Sequence, residues 1–130
     1  MHEKGLILDT CALLWLVSGD KALSVPAKNS IERASIAYVS AISVWEISLK
    51  VEKGEIVLPL ESLDWFQKVI EKHNLVLAPL DPDILVAANQ LPWHHRDPAD
   101  RFIIATALRE NITVVTADKR FAAYGVKVIV

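Results

Sequence analysis

Five short, mainly apolar runs punctuate this chain, at residues 5–8, 36–39, 75–77, 112–116 and 126–130. Between them apolar positions recur at helical spacing, which predicts helices over 12–17, 24–34, 41–53, 63–72, 82–90 and 98–109, with a helical turn near 118–123. The punctuation agrees: Ser18-Gly19-Asp20 breaks the first helix, Gly54 stops the third, and Asp97-Pro98 is a strong helix start. Apolar strands separated by helices are the signature of a parallel sheet buried on both faces. The expected class is therefore α/β, a doubly wound five-stranded parallel sheet with helices on both sides.

Composition narrows the classes further. The 130 residues suit one domain spanning 1–130, and 52% hydrophobic against 23% charged residues, with 4 Gly and 6 Pro, exclude coiled coil, collagen and disordered linker. The longest apolar run, residues 11–17, is too short to span a membrane, and residues 1–4 lead straight into a strand pattern rather than a signal peptide. The lone Cys11 cannot form an intramolecular disulfide; it is expected to be a buried small side chain in a reducing cytoplasm. A net charge of −2 provides no basic field for nucleic acid. A mean hydropathy of +0.30 is high for so small a domain and predicts a face covered by a partner or a second copy.

In a doubly wound sheet ligands sit beyond the carboxyl ends of the strands, and acids are found there. Asp9 ends the first strand and Asp118 follows the fourth. Singly, each reads as a helix or turn cap; as a pair on neighbouring strands they would meet. Glu46 falls within about 40° of Ile42 on a helical wheel, inside a stripe defined by Ile42, Trp45 and Leu49, so this carboxylate is expected to face inward, paired with Lys50 or bound to metal. Asp97 is accounted for as the cap before Pro98, whereas Asp100 shares the sheet-facing arc of Ile103, Ile104 and Ala107. Asp9, Glu46, Asp100 and Asp118 thus converge on one pole. Their mutual repulsion calls for hard divalent cations, Mg²⁺ or Mn²⁺, able to activate a water and stabilise a leaving oxygen of a phosphodiester.

With these residues in view, the chain resembles the PIN-domain ribonucleases, and among them the VapC-like toxins of toxin-antitoxin pairs. The resemblance runs from Ile7-Leu8-Asp9-Thr10 through Ser43-Val44-Trp45-Glu46-Ile47 and Asp97-Pro98-Ala99-Asp100-Arg101 to Thr116-Ala117-Asp118. It implies an endoribonuclease leaving 5′-phosphate and 3′-hydroxyl ends, with Asp9, Glu46, Asp100 and Asp118 as catalytic metal ligands. It also implies that Thr116, Thr10 and Ser43 orient the first-strand Asp or a metal water, and that an antitoxin groove and a homodimer face exist. Asp100 ranks ahead of Asp97, which stays open as a supporting candidate.

Other readings leave traces to check. A receiver domain would need adjacent acids after the first strand, and a haloacid-dehalogenase-like phosphatase an acid where Cys11 stands. A structure-specific or housekeeping nuclease would share the acid set, and a binding module would use the acids only as caps. His94-His95 lacks the partners of a zinc site and is expected to be a solvated loop. Trp15, Trp45 and Trp65 are expected in core or interface, and Trp93 as a base-stacking or loop-anchoring ring. Lys50, Lys53, Arg96, Arg101, Lys119 and Arg120 are candidates to hold RNA phosphates. The apolar excess in 12–17 and 41–53 marks the expected groove.

Overall fold

The computed structural model describes residues 5–130, so the reading of residues 1–4 lies outside the described residues. The elements run β1 (Leu6–Leu8), α1 (Thr10–Ser18), α2 (Val25–Arg33), β2 (Ala37–Ser40), α3 (Ala41–Glu52), α4 (Ser62–Lys72), β3 (Leu75–Ala78), α5 (Pro82–Gln90), α6 (Pro98–Glu110), β4 (Thr113–Val115), a 3₁₀ turn (Lys119–Tyr124) and β5 (Val128–Ile129). All strand pairs are parallel, in the order β3-β2-β1-β4-β5. The winding reverses at β1, and a crevice opens there because the chain leaves β1 and β4 toward opposite faces.

Side-chain alternation assigns the two faces. Leu6, Leu8, Val39 and Val115 pack with Leu13, Leu23, Ile31, Ile47, Trp65 and Phe66 on one side. Ile7 and Val114 pack with Ile103, Ile104 and Phe121 on the other. Both β1 and β4 are therefore buried on both faces, as unbroken apolar strands require. At β3 the expected cover fails: Val76 and Leu77, which point to opposite faces, are 41% and 45% exposed on this edge strand. Gly5 is required at the entry to β1, since a Cβ there would stand 2.6 Å from Cγ2 of Ile36 and 3.1 Å from its carbonyl oxygen.

Two expectations about single positions are corrected. Cys11 is exposed, because α1 starts at Thr10 and places position 11 on the open side of its first turn. Trp45 is 59% exposed; the buried positions of α3 are Ser43 and Ile47, so the stripe through Ile42, Trp45 and Leu49 is not the inward one. Leu14, Trp15, Leu16 and Val17 are partly buried against the core, leaving α1 less bare than its run of apolar residues suggested. Trp65 is core, edge-on to Phe66 at 4.9 Å. No helix among the described residues is long and apolar enough to cross a membrane.

Candidate active site

Asp9 leaves β1 and caps α1 at the same time. Its Oδ1 accepts from the backbone N–H of Ala12 at 2.8 Å, and its Oδ2 accepts from the Thr116 hydroxyl at 2.6 Å. Thr116 follows β4, the neighbour of β1, and its Oγ1 also accepts the N–H of Asp118 at 3.0 Å. A single buried hydroxyl thus ties the ends of two strands together. The capping reading of Asp9 is correct as well, since one oxygen does that work and the other faces Thr116.

Glu46 reaches the same place from α3, whose Ser40 N-cap lies directly at the end of β2. Ser43, Glu46, Ile47 and Lys50 follow at helical spacing along the inner side of α3, with Ser43 and Ile47 buried and Glu46 and Lys50 half-buried. Glu46 is thus inward as expected, though on a different stripe from the one deduced. Thr10 donates its hydroxyl to Glu46 Oε1, and Ser43 stands 2.9 Å from Thr10 Oγ1. A hydroxyl has one proton, so Ser43 donates to Thr10 and Thr10 to Glu46. Thr116 therefore orients Asp9, while Thr10 and Ser43 orient Glu46 rather than the first-strand acid.

The third wall is the segment between α5 and α6, whose geometry overturns two readings. His95 is not solvated: it is 1% exposed, its ring edge-on to Phe121. Its Nε2 hydrogen-bonds Asp118 Oδ2 at 3.0 Å and lies 2.8 Å from Asp100 Oδ2. Arg101 is not a phosphate holder either. At 2% exposure it donates to the carbonyls of Ala88, Leu91, Pro92 and His95, and the exposed Trp93 ring lies over its guanidinium at 3.6 Å. Trp93 is thereby a loop anchor. Tyr124 closes the wrap, accepting the His95 N–H at 2.8 Å and donating to the Pro92 carbonyl at 2.7 Å. Helical periodicity had no access to these contacts; the usable signal was a histidine two residues before an Asp-Pro cap and an arginine inside a buried helix turn.

Asp9, Glu46, Asp97, Asp100 and Asp118 line one cleft of about 460 Å³, which continues past Cys11 to Leu14, Trp15 and Ile56. Asp97 caps α6 by accepting the Ala99 N–H at 3.0 Å, and its exposed charge adds to the field on Asp100 and Glu46. Lys50 lines the cleft, 3.9 Å from Glu55; Arg96 and Lys119 are exposed beside it in sequence. Burial first, then the surrounding acids, pushes Asp100 up to about 7. Burial also raises Asp9 and Glu46, partly offset by their hydroxyl donors. Asp118 goes the other way, down to about 2, chiefly because Arg120 grips it with Nε at 3.0 Å and Nη2 at 2.8 Å. The donor set fits a divalent ion: half-buried carboxylates in excess of nearby cations, offering hard oxygen atoms in an open cleft.

The PIN domain family model matches residues 6–127. The chain is 32% identical over 120 residues to Ribonuclease VapC22 of Mycobacterium tuberculosis, covering 92% of this chain and 91% of that protein. Among solved structures, DNA-bound VapBC from Salmonella typhimurium shares the fold at a TM-score of 0.72 and 18% identity, covering 99% of this chain and 98% of that one. VapBC2 from Rickettsia felis, bound to a promoter DNA fragment, does so at 0.69 and 14%, covering 96% and 97%. A family match over nearly the whole chain agrees with a sheet that delivers acids from β1, α3, α6 and the end of β4 to one cleft, and the chain belongs to the PIN-domain family.

Proposed function

We propose that this chain is a Mg²⁺- or Mn²⁺-dependent endoribonuclease and the toxin of a toxin-antitoxin pair. The observation that carries the reading is the convergence of Asp9, Glu46, Asp100 and Asp118 on one cleft, in a chain one-third identical to a ribonuclease over nine-tenths of its length. Asp9, Asp100, Asp118 and Glu46 would hold the ions, which when bound supply charge neutralisation and an acidified water. The protein's own part is positional. Thr116 and the Ala12 N–H immobilise Asp9, and the Ser43–Thr10 relay immobilises Glu46. Asp100, near half-protonation at neutral pH, holds a proton that ion binding releases. Lys50, Arg96 and Lys119 are the cations placed to meet RNA phosphates at the rim, whereas Arg101 is committed to the loop.

The partner reading rests on the cleft's second half, where Leu14, Trp15 and Ile56 continue from the acids and suit an apolar antitoxin segment. Several solved structures that share this fold are VapBC or toxin-antitoxin complexes, and we extend that assembly to this chain. The exposed Trp45, Leu63, Leu85 and Val86 supply further apolar surface for a homodimer. The test is cleavage of RNA by the purified protein in Mg²⁺ or Mn²⁺, with 5′-phosphate ends, alongside expression in cells. Growth arrest relieved by co-expressing the adjacent small reading frame supports the toxin reading. RNA cleavage without growth arrest reduces it to a housekeeping nuclease, and full cleavage by Asp9→Asn overturns the metal site.

A further inference from the structure

Four backbone carbonyls converge on Arg101, and the segment they belong to ends at His95, whose buried ring lies against Asp100 and Asp118, two of the acids that line the cleft. The ring of His95 is held from three directions: Tyr124 and Arg101 fix its backbone N–H and carbonyl, Phe121 packs edge-on, and the Asp97 N–H donates to Nδ1 at 3.2 Å. That last bond settles the tautomer. With Nδ1 accepting, the ring proton sits on Nε2, which donates to Asp118 Oδ2 at 3.0 Å and lies 2.8 Å from Asp100 Oδ2. His95, Asp100 and Asp118 each bring a ligand-type atom within 4.8 Å of the others, which would also suit a nitrogen-ligated ion. The Nδ1 contact argues against that use, because a protonated Nε2 has no lone pair to give.

We propose that His95 is a positioning residue of this site, whose Nε2–H holds Asp118 beside Asp100 and sets the spacing of the two carboxylates for a hard divalent ion without itself becoming a ligand. The proposal rests on the reading of the cleft as a metal centre. It makes the Arg101 and Tyr124 wrap part of the site: the loop carbonyls are gathered so that one N–H arrives between two carboxylates that belong to different elements, α6 and the turn after β4.

Two replacements separate the two ring nitrogens. The amide of glutamine reaches the place of Nε2, and that of asparagine the place of Nδ1. In the full chain, Mn²⁺ titrated calorimetrically should bind His95→Gln within about threefold of the original protein, and His95→Asn roughly 10–100-fold more weakly. Pulsed EPR of the Mn²⁺-loaded original protein should show no directly coordinated ¹⁴N coupling. Direct ¹⁴N coordination, or His95→Asn binding Mn²⁺ as well as the original protein, overturns the positioning role while leaving the metal centre intact. If the original protein binds no Mn²⁺, the metal centre itself fails and the proposal with it. Should either variant not fold, the EPR of the original protein still decides between donor and ligand.

Discussion

The cleft has two halves that hold the same kind of side chain by different means. On the β1–α3 half, Asp9 and Glu46 are oriented by neutral hydroxyls, Thr116, Thr10 and Ser43, and burial raises both above the ordinary carboxylate range. On the α6–β4 half the donors are nitrogens, His95 and Arg120, and the two aspartates beside His95, Asp100 and Asp118, sit at about 7 and about 2. Asp100 faces the other acids from inside, whereas Asp118 meets Arg120 on the solvent side. The lesson is that position relative to water and to one arginine, not residue type, divides the labour. Burial pushes Asp9, Glu46 and Asp100 up, whereas Asp118 already has a counter-charge in place.

The largest expected effect comes from removing a charge on the hydroxyl-held half. Asp9→Asn should lower RNA cleavage by ~10³-fold or more, since an ion's stabilisation is worth several kcal/mol. Metal-free melting temperature should rise, because a buried carboxylate without a cation is replaced by a neutral amide. A loss of both activity and stability would mean Asp9 is chiefly a cap.

Cutting the relay rather than the acid should cost less. Thr10→Val leaves Glu46 without its donor and is expected to reduce cleavage by roughly 10–100-fold with circular dichroism unchanged. On the other half, Arg120→Ala removes the grip on Asp118 and should raise the pKa of that carboxyl toward the ordinary value, readable by NMR. An unmoved Asp118 would show that the Arg120 backbone N–H and His95 hold it down without the guanidinium.

Proton linkage sharpens the contrast between Asp100 and Asp118. In the folded, metal-free protein Asp100 keeps its proton up to about pH 7, whereas the unfolded chain releases it near 3.8. Between those values the native state binds more protons, so stability falls as pH rises through 7. Allowing for solvent at the open cleft, the difference is roughly 2 kcal/mol, or a melting temperature about 6 °C higher at pH 5 than at pH 8. Asp118, depressed to about 2, contributes above its ordinary value and loses that contribution only below pH 4, outside this window. Mn²⁺ should abolish the slope by supplying the neutralisation that protons provide. A flat profile without metal would remove the electrostatic basis of the comparison.

The smallest effect is reserved for Asp97. Its carboxylate caps α6 and stays exposed, and asparagine caps nearly as well, so Asp97→Asn should change cleavage only a few-fold, measured beside Asp100→Asn. Equal losses would promote Asp97 to a direct ligand.

Hydrophobic periodicity together with Asp, Pro and Gly punctuation determined from sequence the parallel α/β sheet, the helix starts at Pro82 and Pro98, the stop at Gly54, and the placing of Asp9, Glu46, Asp100 and Asp118 at one pole. These are local or one-dimensional properties: a strand end, a cap and a turn of helix each leave a signature within a few residues. The α3 stripe was misread because that signature records only apolar content. Trp45 looked inward by composition, whereas the buried positions are Ser43 and Ile47, and the small Ser43 is buried because Thr10 of another element meets it. His95 and Arg101 were misplaced for the same reason. Whether a polar side chain in a loop is solvated or buried depends on partners 23 residues away at Asp118 and Tyr124, or on carbonyls up to 13 residues back at Ala88. Such pairing lowers the cost of burial only once the sheet has brought β1, β4 and α6 together, so tertiary structure alone decided it.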